Sequence, residues 1–332
     1  MRSSVAESGK TAEHTTASGA SHESSPGGRR TVVPVAVDYG GAMALGDSVR
    51  AHGAQIAAAA RSVRIDLDAL DALTPGDPPE LDAERHYLEG PQDDVASYLL
   101  VLDTINFGSG WFPTLHKRPR SSGYFTVAWG LADRWRAGAD WTNDQLRAMR
   151  AEEVADTLGQ PRDHELMALY AQALRELGGF LGDRHALDVV GEARGSAERL
   201  AEILAGGMTM WQDVGFYKRA QIAPSDLALG GVAQFGDLDA LTIFADNLVP
   251  HVLRCEGVLM YDERLAAHID AGRPLRPGPQ EREIRGCAVH ACALIAGRTG
   301  MSERDIDNAL WYRGQGAEYK ARPRHRCRTV YY

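Results

Sequence analysis

Acidic, amide and aromatic side chains interrupt apolar sequence at several places in this chain, and these residue types can bind a polar ring. The clearest place is LDTINFGSGWF, residues 102–112, where Asp103 and Asn106 precede Trp111 and Phe112. Either polar residue could cap a helix end and satisfy free backbone groups. Alternatively, polar groups beside aromatic rings could hold the edge and the face of a flat heterocycle.

Four further polar clusters follow in the second half of the chain. Each has a structural interpretation. Lys218 and Arg219 could form a solvated face, and Asp237 could cap the next helix. Arg285 could pair with Glu283 at the surface, and the histidine and tyrosines of the last segment could close the core. From the residues alone, the clusters indicate a pocket of acids and aromatic rings. The clusters are FYKRAQI (216–222) with Asp226, FGDLDALTIFAD (235–246), EIRGC (283–287) and HRCRTVYY (325–332).

Common catalytic and cofactor-binding motifs do not occur. The sequence has no GxGxxG, no GxxxxGK[ST], no HExxH and no GxSxG. Its four cysteines show no CxxC spacing, so neither a zinc knuckle nor a thioredoxin-like redox motif is indicated. We predict reduced thiols.

Composition and charge restrict the class of partner. Hydrophobic residues make up 44% of the 332 residues, which is enough for a sizeable core, and the net charge is −9. An acidic surface repels polyanions, so we do not expect direct binding of a polynucleotide, although a local Arg and Lys cluster could still bind a small anion. Without a membrane-length apolar run or a signal core, the sequence predicts a soluble cytoplasmic protein. It does not indicate an oligomeric state.

The elements that must position these residues are mainly helical. Residues 1–31 are rich in Ser, Thr, Gly, Ala and Glu and are predicted to form a disordered tail, followed by a single domain over residues 32–332. Clear period-2 runs are scarce, so the fold class is predicted to be mostly α-helical with few short strands. Apolar spacings of three, four and seven predict helices over residues 48–73, 94–102, 164–181, 196–207, 238–253, 282–297 and 303–314.

These clusters, in this order, resemble the queuosine salvage family of queuosine 5′-phosphate N-glycosylases. The resemblance implies a mostly α-helical single domain similar to the helix-hairpin-helix DNA glycosylases. It also implies release of queuine from queuosine 5′-phosphate, a small-molecule substrate, for reuse in tRNA, with no metal and no other cofactor. It extends from about residue 90 to residue 332 and rests on the segments LDTINF, SGYFTVAWGLADR, GFYKRAQI with Asp226, FGDLDALTIFAD, EIRGC, DNALW and HRCRTVYY.

The implied reaction gives each candidate residue a role. Cleavage of an N-glycosidic bond builds positive charge on the ribose, which a fixed carboxylate can stabilise while it orients or deprotonates water. Asp226 is the first candidate for this carboxylate. Asp246 is the second, and it could instead hold the base or the amine of the cyclopentenediol. The substrate-binding candidates are Asp103, Asn106, Phe107 and Trp111 or Phe112 for the base, Lys218, Arg219, His325 and Arg328 for the 5′-phosphate, and Asp237.

One segment departs from the family pattern and keeps other functions open. The family usually continues Tyr-Arg-x-Pro-Gln after Phe-Ala-Asp, whereas this chain has Asn247-Leu248-Val-Pro-His251. If the missing side chains touch substrate, a related 7-deazapurine nucleotide or the unphosphorylated nucleoside is an alternative. A non-catalytic 7-deazapurine-binding protein is another, although Asp226 and Asp246 are both present. The net charge argues against a DNA-repair glycosylase.

Overall fold

The computed structural model describes residues 43–332, which form a predominantly α-helical domain. The predicted fold class is therefore confirmed, while its resemblance to the helix-hairpin-helix glycosylases stays a prediction. The predicted tail, residues 1–31, lies outside the described residues. The α-helices are α1 (Leu45–Ala59), α2 (Leu67–Ala72), α3 (Gln92–Thr104), α4 (Gly123–Arg136), α5 (Asn143–Arg147), α6 (Ala151–Leu158), α7 (Glu165–Leu181), α8 (Ala186–Glu192), α9 (Ala197–Gly207), α10 (Lys218–Leu229), α11 (Val249–Cys255), α12 (Glu263–Asp270), α13 (Pro279–Thr299), α14 (Glu303–Arg313) and α15 (Ala317–Lys320).

Shorter elements connect these helices. Two three-residue strands, β1 (Val63–Ile65) and β2 (Leu259–Tyr261), pair antiparallel, with Val63 opposite Tyr261. No helix among the described residues is both long and apolar enough to cross a bilayer. Three 3₁₀ turns lie at Phe112–Thr114, Thr209–Trp211 and Leu238–Ala240.

Helices with clear local capping signals occur where the sequence predicts them. The Ser196 hydroxyl accepts a hydrogen bond from the Arg199 backbone N–H at 3.1 Å and begins α9. The Ser302 hydroxyl does the same for α14, with the Asp305 N–H at 3.2 Å. Each cap satisfies one backbone donor that the first helical turn leaves free.

Two predicted helices are interrupted by contacts that are distant in sequence. The apolar pattern over residues 48–73 is divided into α1, β1 and α2, because residues 63–65 pair with β2. Within residues 238–253, only the last part is α-helical, and α11 begins at Val249. Pro250 has no backbone N–H and fits the first turn of that helix, where no intrahelical donor is needed.

Close contact between α1 and α13 brings the N-terminal part of the domain against its C-terminal half. At Gly53, an added Cβ would lie 2.7 Å from Val289 Cγ1, and at Gly286 it would lie 2.5 Å from Ile56 Cγ2. Both distances are shorter than carbon atoms tolerate. The two glycines therefore permit the approach of the two helices.

Candidate active site

A cleft lies where α3, α4, α10, α14, the segment 244–248 and the last residues of the chain meet. Three carboxyl groups line it, from Asp226, Asp246 and Asp307, together with two cationic groups, from Lys218 and Arg324. Acids, cations and rings in one concave site are typical of a small-molecule binding site. The aromatic lining consists of Phe107, Phe112, Tyr124, Phe244, Trp311, Tyr312 and Tyr332.

Helix α10 supplies a cation and an acid to the cleft from one face. Lys218, Ile222 and Asp226 are spaced four residues apart, which puts them on one side of a helix, and all three line the cleft. Tyr217, immediately before the helix, has a left-handed backbone with a φ of 50°. Such a conformation is unfavourable for a non-glycine residue, so surrounding contacts must hold it.

The Lys218 ammonium is held at the end of α3. Its Nζ donates to the Asn106 carbonyl oxygen at 2.7 Å and to Asn106 Oδ1 at 3.0 Å. Burial lowers the pKa of Lys218 to about 8, although the nearby Asp246, Asp103 and Asp307 carboxyl groups favour the charged form. Lys218 therefore titrates close to neutral pH, unlike an exposed lysine.

Asp226 and Asp103 form a buried pair of carboxyl groups. Asp226 reaches the cleft from α10, whereas Asp103, on the last turn of α3, has no exposed surface and does not line the cleft. The two side chains interact directly, but without ordinary hydrogen-bond geometry. Burial raises the pKa of Asp103 well above its usual range, and the Asp226 charge raises it further. Burial also raises the pKa of Asp226, while contact with Asp103 and the Lys218 charge oppose that rise.

Backbone groups fix the other two carboxyl groups of the cleft. Asp246 Oδ1 accepts hydrogen bonds from the Leu248 N–H at 2.6 Å and the Val249 N–H at 3.0 Å, at the start of α11. Asp307 Oδ1 accepts from the Phe244 N–H at 2.8 Å. Burial raises the pKa of Asp307 well above its usual range, and the Asp246 charge adds to the rise.

A buried ion pair behind the cleft positions the segment that carries Asp246. The Arg285 guanidinium donates to both Asp213 carboxylate oxygens, at 3.0 Å and 2.5 Å, and its Nε donates to the Ala245 carbonyl at 2.7 Å. The surface pair of Arg285 with Glu283 is therefore wrong, since Glu283 accepts instead from the Arg61 and Ser62 N–H groups.

Three predicted substrate-binding residues are engaged elsewhere in the fold. The buried Arg219 guanidinium donates to the carbonyls of residues 104, 210 and 330. Asp237 accepts from the Ser196 hydroxyl and the Ala197 N–H, both at 2.6 Å, so it stabilises the start of α9 and not that of the next helix. His325 is buried against Tyr332, and burial lowers its pKa to about 3, so it is neutral. None of the three lines the cleft.

Trp111 and Arg328 also lie outside the cleft lining. The Trp111 indole donates to Glu165 Oε2 at 2.7 Å. The Arg328 guanidinium pairs with the same Glu165 oxygen at 3.0 Å and lies 5.6 Å from the Trp111 ring centre. Phe112 lines the cleft in place of Trp111, because the 3₁₀ turn directs successive side chains differently.

Asp307 and Arg324 are cleft residues that the sequence analysis did not select. Asp307 lies in the DNALW segment, and Arg324 immediately precedes HRCRTVYY, so the segments that carry the family resemblance could have indicated both. Arg324 has no hydrogen bond or ion pair from its side chain within residues 43–332. Burial lowers the pKa of its guanidinium, and Asp246 opposes the shift.

Comparison with known proteins identifies the family. The sequence profile described as "Queuosine salvage protein" matches residues 86–332. This chain belongs to the queuosine salvage protein family. The match includes every residue that lines the cleft except Leu81.

Three similar relatives share the name queuosine 5′-phosphate N-glycosylase/hydrolase. The protein from Sphaerobacter thermophilus is 31% identical over 304 residues, covering 82% of this chain and 94% of that protein. The relative from Dictyostelium discoideum is 30% identical, covering 72% and 78%. The relative from Nematostella vectensis is 27% identical, covering 76% and 85%.

Proposed function

We propose that this chain hydrolyses the N-glycosidic bond of queuosine 5′-phosphate and releases queuine for salvage into tRNA. The observation that carries the proposal is Asp226 at the surface of an aromatic cleft, backed by a second carboxyl group, in a chain of this family. Its substrate is a small molecule, as it is for the named relatives.

Asp226 is the proposed catalytic carboxylate. When the bond from C1′ of the ribose to N9 breaks, positive charge develops on the ribose, and a fixed carboxylate stabilises it. Water then adds its oxygen to C1′ and keeps one hydrogen as the new hydroxyl group, while Asp226 accepts the other proton. That proton passes on to N9 of the departing base, which leaves Asp226 ionised again. A carboxylate with a raised pKa is a better proton acceptor than an exposed one. Burial of Asp226 supports this role.

The remaining carboxyl groups suit binding better than proton transfer. One oxygen of Asp246 already accepts two backbone N–H groups, and one oxygen of Asp307 accepts another. Their other oxygens can accept hydrogen bonds from the base edge or from the amine of the cyclopentenediol. Ser109 Oγ and Asn308 Nδ2 also line the cleft and have no hydrogen-bond partner within residues 43–332. A bound heterocycle would satisfy these groups.

Arg324 is the proposed main contact for the 5′-phosphate. Its guanidinium lines the cleft without a counter-ion among the described side chains, and a phosphate dianion would provide one. Lys218 is less available, since Asn106 holds its ammonium and three carboxyl groups surround it. We therefore assign Lys218 a supporting role in charge balance.

The departure from the family pattern favours one alternative substrate class. Asn247 and Leu248 line the cleft, whereas His251 is buried beneath it and its Nε2 lies 2.8 Å from the Tyr319 carbonyl oxygen. A related 7-deazapurine nucleotide therefore remains the second candidate, because two of the changed side chains can contact the ligand.

Mass-resolved chromatography would test the proposal directly. Purified protein is incubated with queuosine 5′-phosphate and, in parallel, with queuosine. We expect free queuine from the phosphate, and a loss of roughly a hundredfold or more in kcat for Asp226→Asn. Asp71→Asn is the matched control, because Asp71 is exposed on α2 and its side chain makes no hydrogen bond to any residue from 43 to 332. Release of no base from either compound by the wild-type protein would contradict the proposed activity.

A further inference from the structure

The two acids of the Asp103 and Asp226 pair differ in their access to the cleft. Asp226 lines the cleft, whereas Asp103 is fully enclosed behind it. Substrate in the cleft can therefore contact Asp226 but not Asp103. An acid without access to substrate influences the reaction only through its neighbours.

Within residues 43–332, Asp103 has no ion pair that would offset the cost of burying its negative charge. Neither carboxyl oxygen has an ordinary hydrogen bond, and no Lys, Arg or His forms an ion pair with it within residues 43–332. The ammonium of Lys218, whose charge favours an ionised Asp103, donates to Asn106 instead. Burying an unpaired carboxylate is costly, so the neutral acid is the favoured form.

The groups around Asp103 match the two ends of a neutral carboxylic acid. Asn106 Oδ1 accepts from Lys218, which leaves the Asn106 amide N–H groups as donors toward the Asp103 carbonyl oxygen. On the other side lies the Asp226 carboxylate, which can only accept while it is ionised. A hydroxyl hydrogen between the two acids therefore belongs to Asp103.

We infer that Asp103 is a positioning residue that remains protonated and donates its hydroxyl hydrogen to the Asp226 carboxylate, keeping that carboxylate ionised and directed into the cleft. The inference deepens the proposed function, and its kinetic test rests on that function. A connected series of polar groups then links α10 with the end of α3. It begins at Lys218 on α10, continues through Asn106 and Asp103, and returns to α10 at Asp226.

The other charged groups around Asp226 leave this assignment intact. Besides Asp103 on α3, they are Lys218 on its own helix and Arg304 and Asp307 on α14. Tyr98, Tyr124 and Tyr312 also face it, and burial raises the pKa of all three phenols, so they stay neutral at working pH.

The kinetic test compares two variants of Asp103 over a range of pH. Asp103→Asn keeps a neutral donor of the same shape, so kcat should stay within about tenfold of wild type. Asp103→Leu removes the donor, so the acid limb of kcat should move to higher pH, with KM little changed because residue 103 does not line the cleft. A loss in Asp103→Asn as large as in Asp226→Asn, or a change mainly in KM, would overturn the inference.

A spectroscopic test does not depend on the proposed activity. Infrared spectra of protein labelled with ¹³C-aspartate are compared at about pH 8, where ordinary aspartates are ionised. The difference between wild type and Asp103→Asn should show one protonated carboxyl band that the variant has lost, and Asp226→Asn should retain it. No lost band in Asp103→Asn would overturn the inference, whatever the enzyme's substrate. Thermal unfolding of each variant checks that it is folded.

Discussion

At the residue scale, Asp226 and Lys218 lie on one face of α10, and burial shifts their proton affinities in opposite directions. It raises the pKa of Asp226 and lowers the pKa of Lys218 to about 8. In both cases burial disfavours the charged form. The site therefore contains an ionised acid and an ammonium together only within a limited pH window.

That window predicts a bell-shaped dependence of kcat/KM on pH. Activity should rise as Asp226 ionises, above the ~3.9 of an ordinary aspartate, and fall near pH 8 as Lys218 loses its proton. Lys218→Met should lower kcat/KM and abolish the basic limb. Steady-state rates in buffers of constant ionic strength measure both limbs. A basic limb that persists unchanged in Lys218→Met would assign it to another group.

The sequence identified the segments of the site better than its individual residues. Asn106, Lys218, Asp226 and Asp246 line the cleft, and each is a polar residue that interrupts apolar sequence, whereas Phe107 is a cleft residue that only the family resemblance indicates. Selecting polar residues within apolar sequence also selects residues that satisfy distant backbone groups. An example is Arg219, whose guanidinium donates to three backbone carbonyls in the core. Local sequence does not show which carbonyls or helix ends will lack a partner after folding.

At the element scale, helices with their own caps were predictable, and segments fixed by distant partners were not. The strand Val63–Ile65 depends on pairing with residues 259–261. Residues 241–246 form no regular secondary structure, because their backbone binds other elements: Gln221 Oε1 accepts from the Thr242 N–H at 2.9 Å, Asp307 accepts from the Phe244 N–H, and Arg285 donates to the Ala245 carbonyl. Helical periodicity is present in that sequence, but tertiary hydrogen bonds override it.

The contact between α1 and α13 makes a prediction about two glycines of one helix. Gly286→Ala should reduce the free energy of unfolding by ~1–3 kcal/mol, because its Cβ would overlap the Ile56 side chain. Gly297→Ala, on the same helix with no atom near its Cβ, should increase it by about 0.5–1 kcal/mol. Urea denaturation measures both. Equal effects of the same sign would contradict the close approach of the helices.

The buried ion pair behind the cleft makes a second prediction at this scale. Arg285→Met leaves the Asp213 carboxylate buried and unpaired, at a cost of about 3–5 kcal/mol of unfolding free energy. Arg282→Met, one turn earlier on α13, is the control, since Arg282 is half-buried, contacts the neutral His52 and the face of the Phe216 ring, and forms no ion pair within residues 43–332. Its effect should be below about 1 kcal/mol. Chemical denaturation monitored by tryptophan fluorescence distinguishes the two variants.

At the scale of the whole molecule, a local positive rim contrasts with the net charge of −9. Lys117, Lys320 and Arg326 lie close enough to Arg324 for their charges to interact, and none of the four forms an ion pair within residues 43–332. Burial, followed by the charge of Arg324, lowers the pKa of both lysines. Like charges gathered without counter-ions create a field that attracts an anion to the cleft, while the acidic remainder repels polyanions.

This charge arrangement predicts that Arg324 distinguishes a phosphorylated substrate from an unphosphorylated one. Arg324→Gln should raise KM for queuosine 5′-phosphate by about tenfold to a hundredfold, the range for a charge-assisted hydrogen bond, and should leave kcat/KM for the nucleoside nearly unchanged. Added salt should raise KM for the phosphate in the wild type and have less effect in the variant.

Arg150→Gln controls for the change in net charge, because Arg150 is exposed at the start of α6 and does not line the cleft. It should leave both substrates unaffected. A loss in Arg324→Gln of the same size for nucleoside and nucleotide would instead place Arg324 at the base or the ribose. The phosphate would then have to be bound by Lys218, although the carboxyl groups of Asp103, Asp246 and Asp307 surround that ammonium.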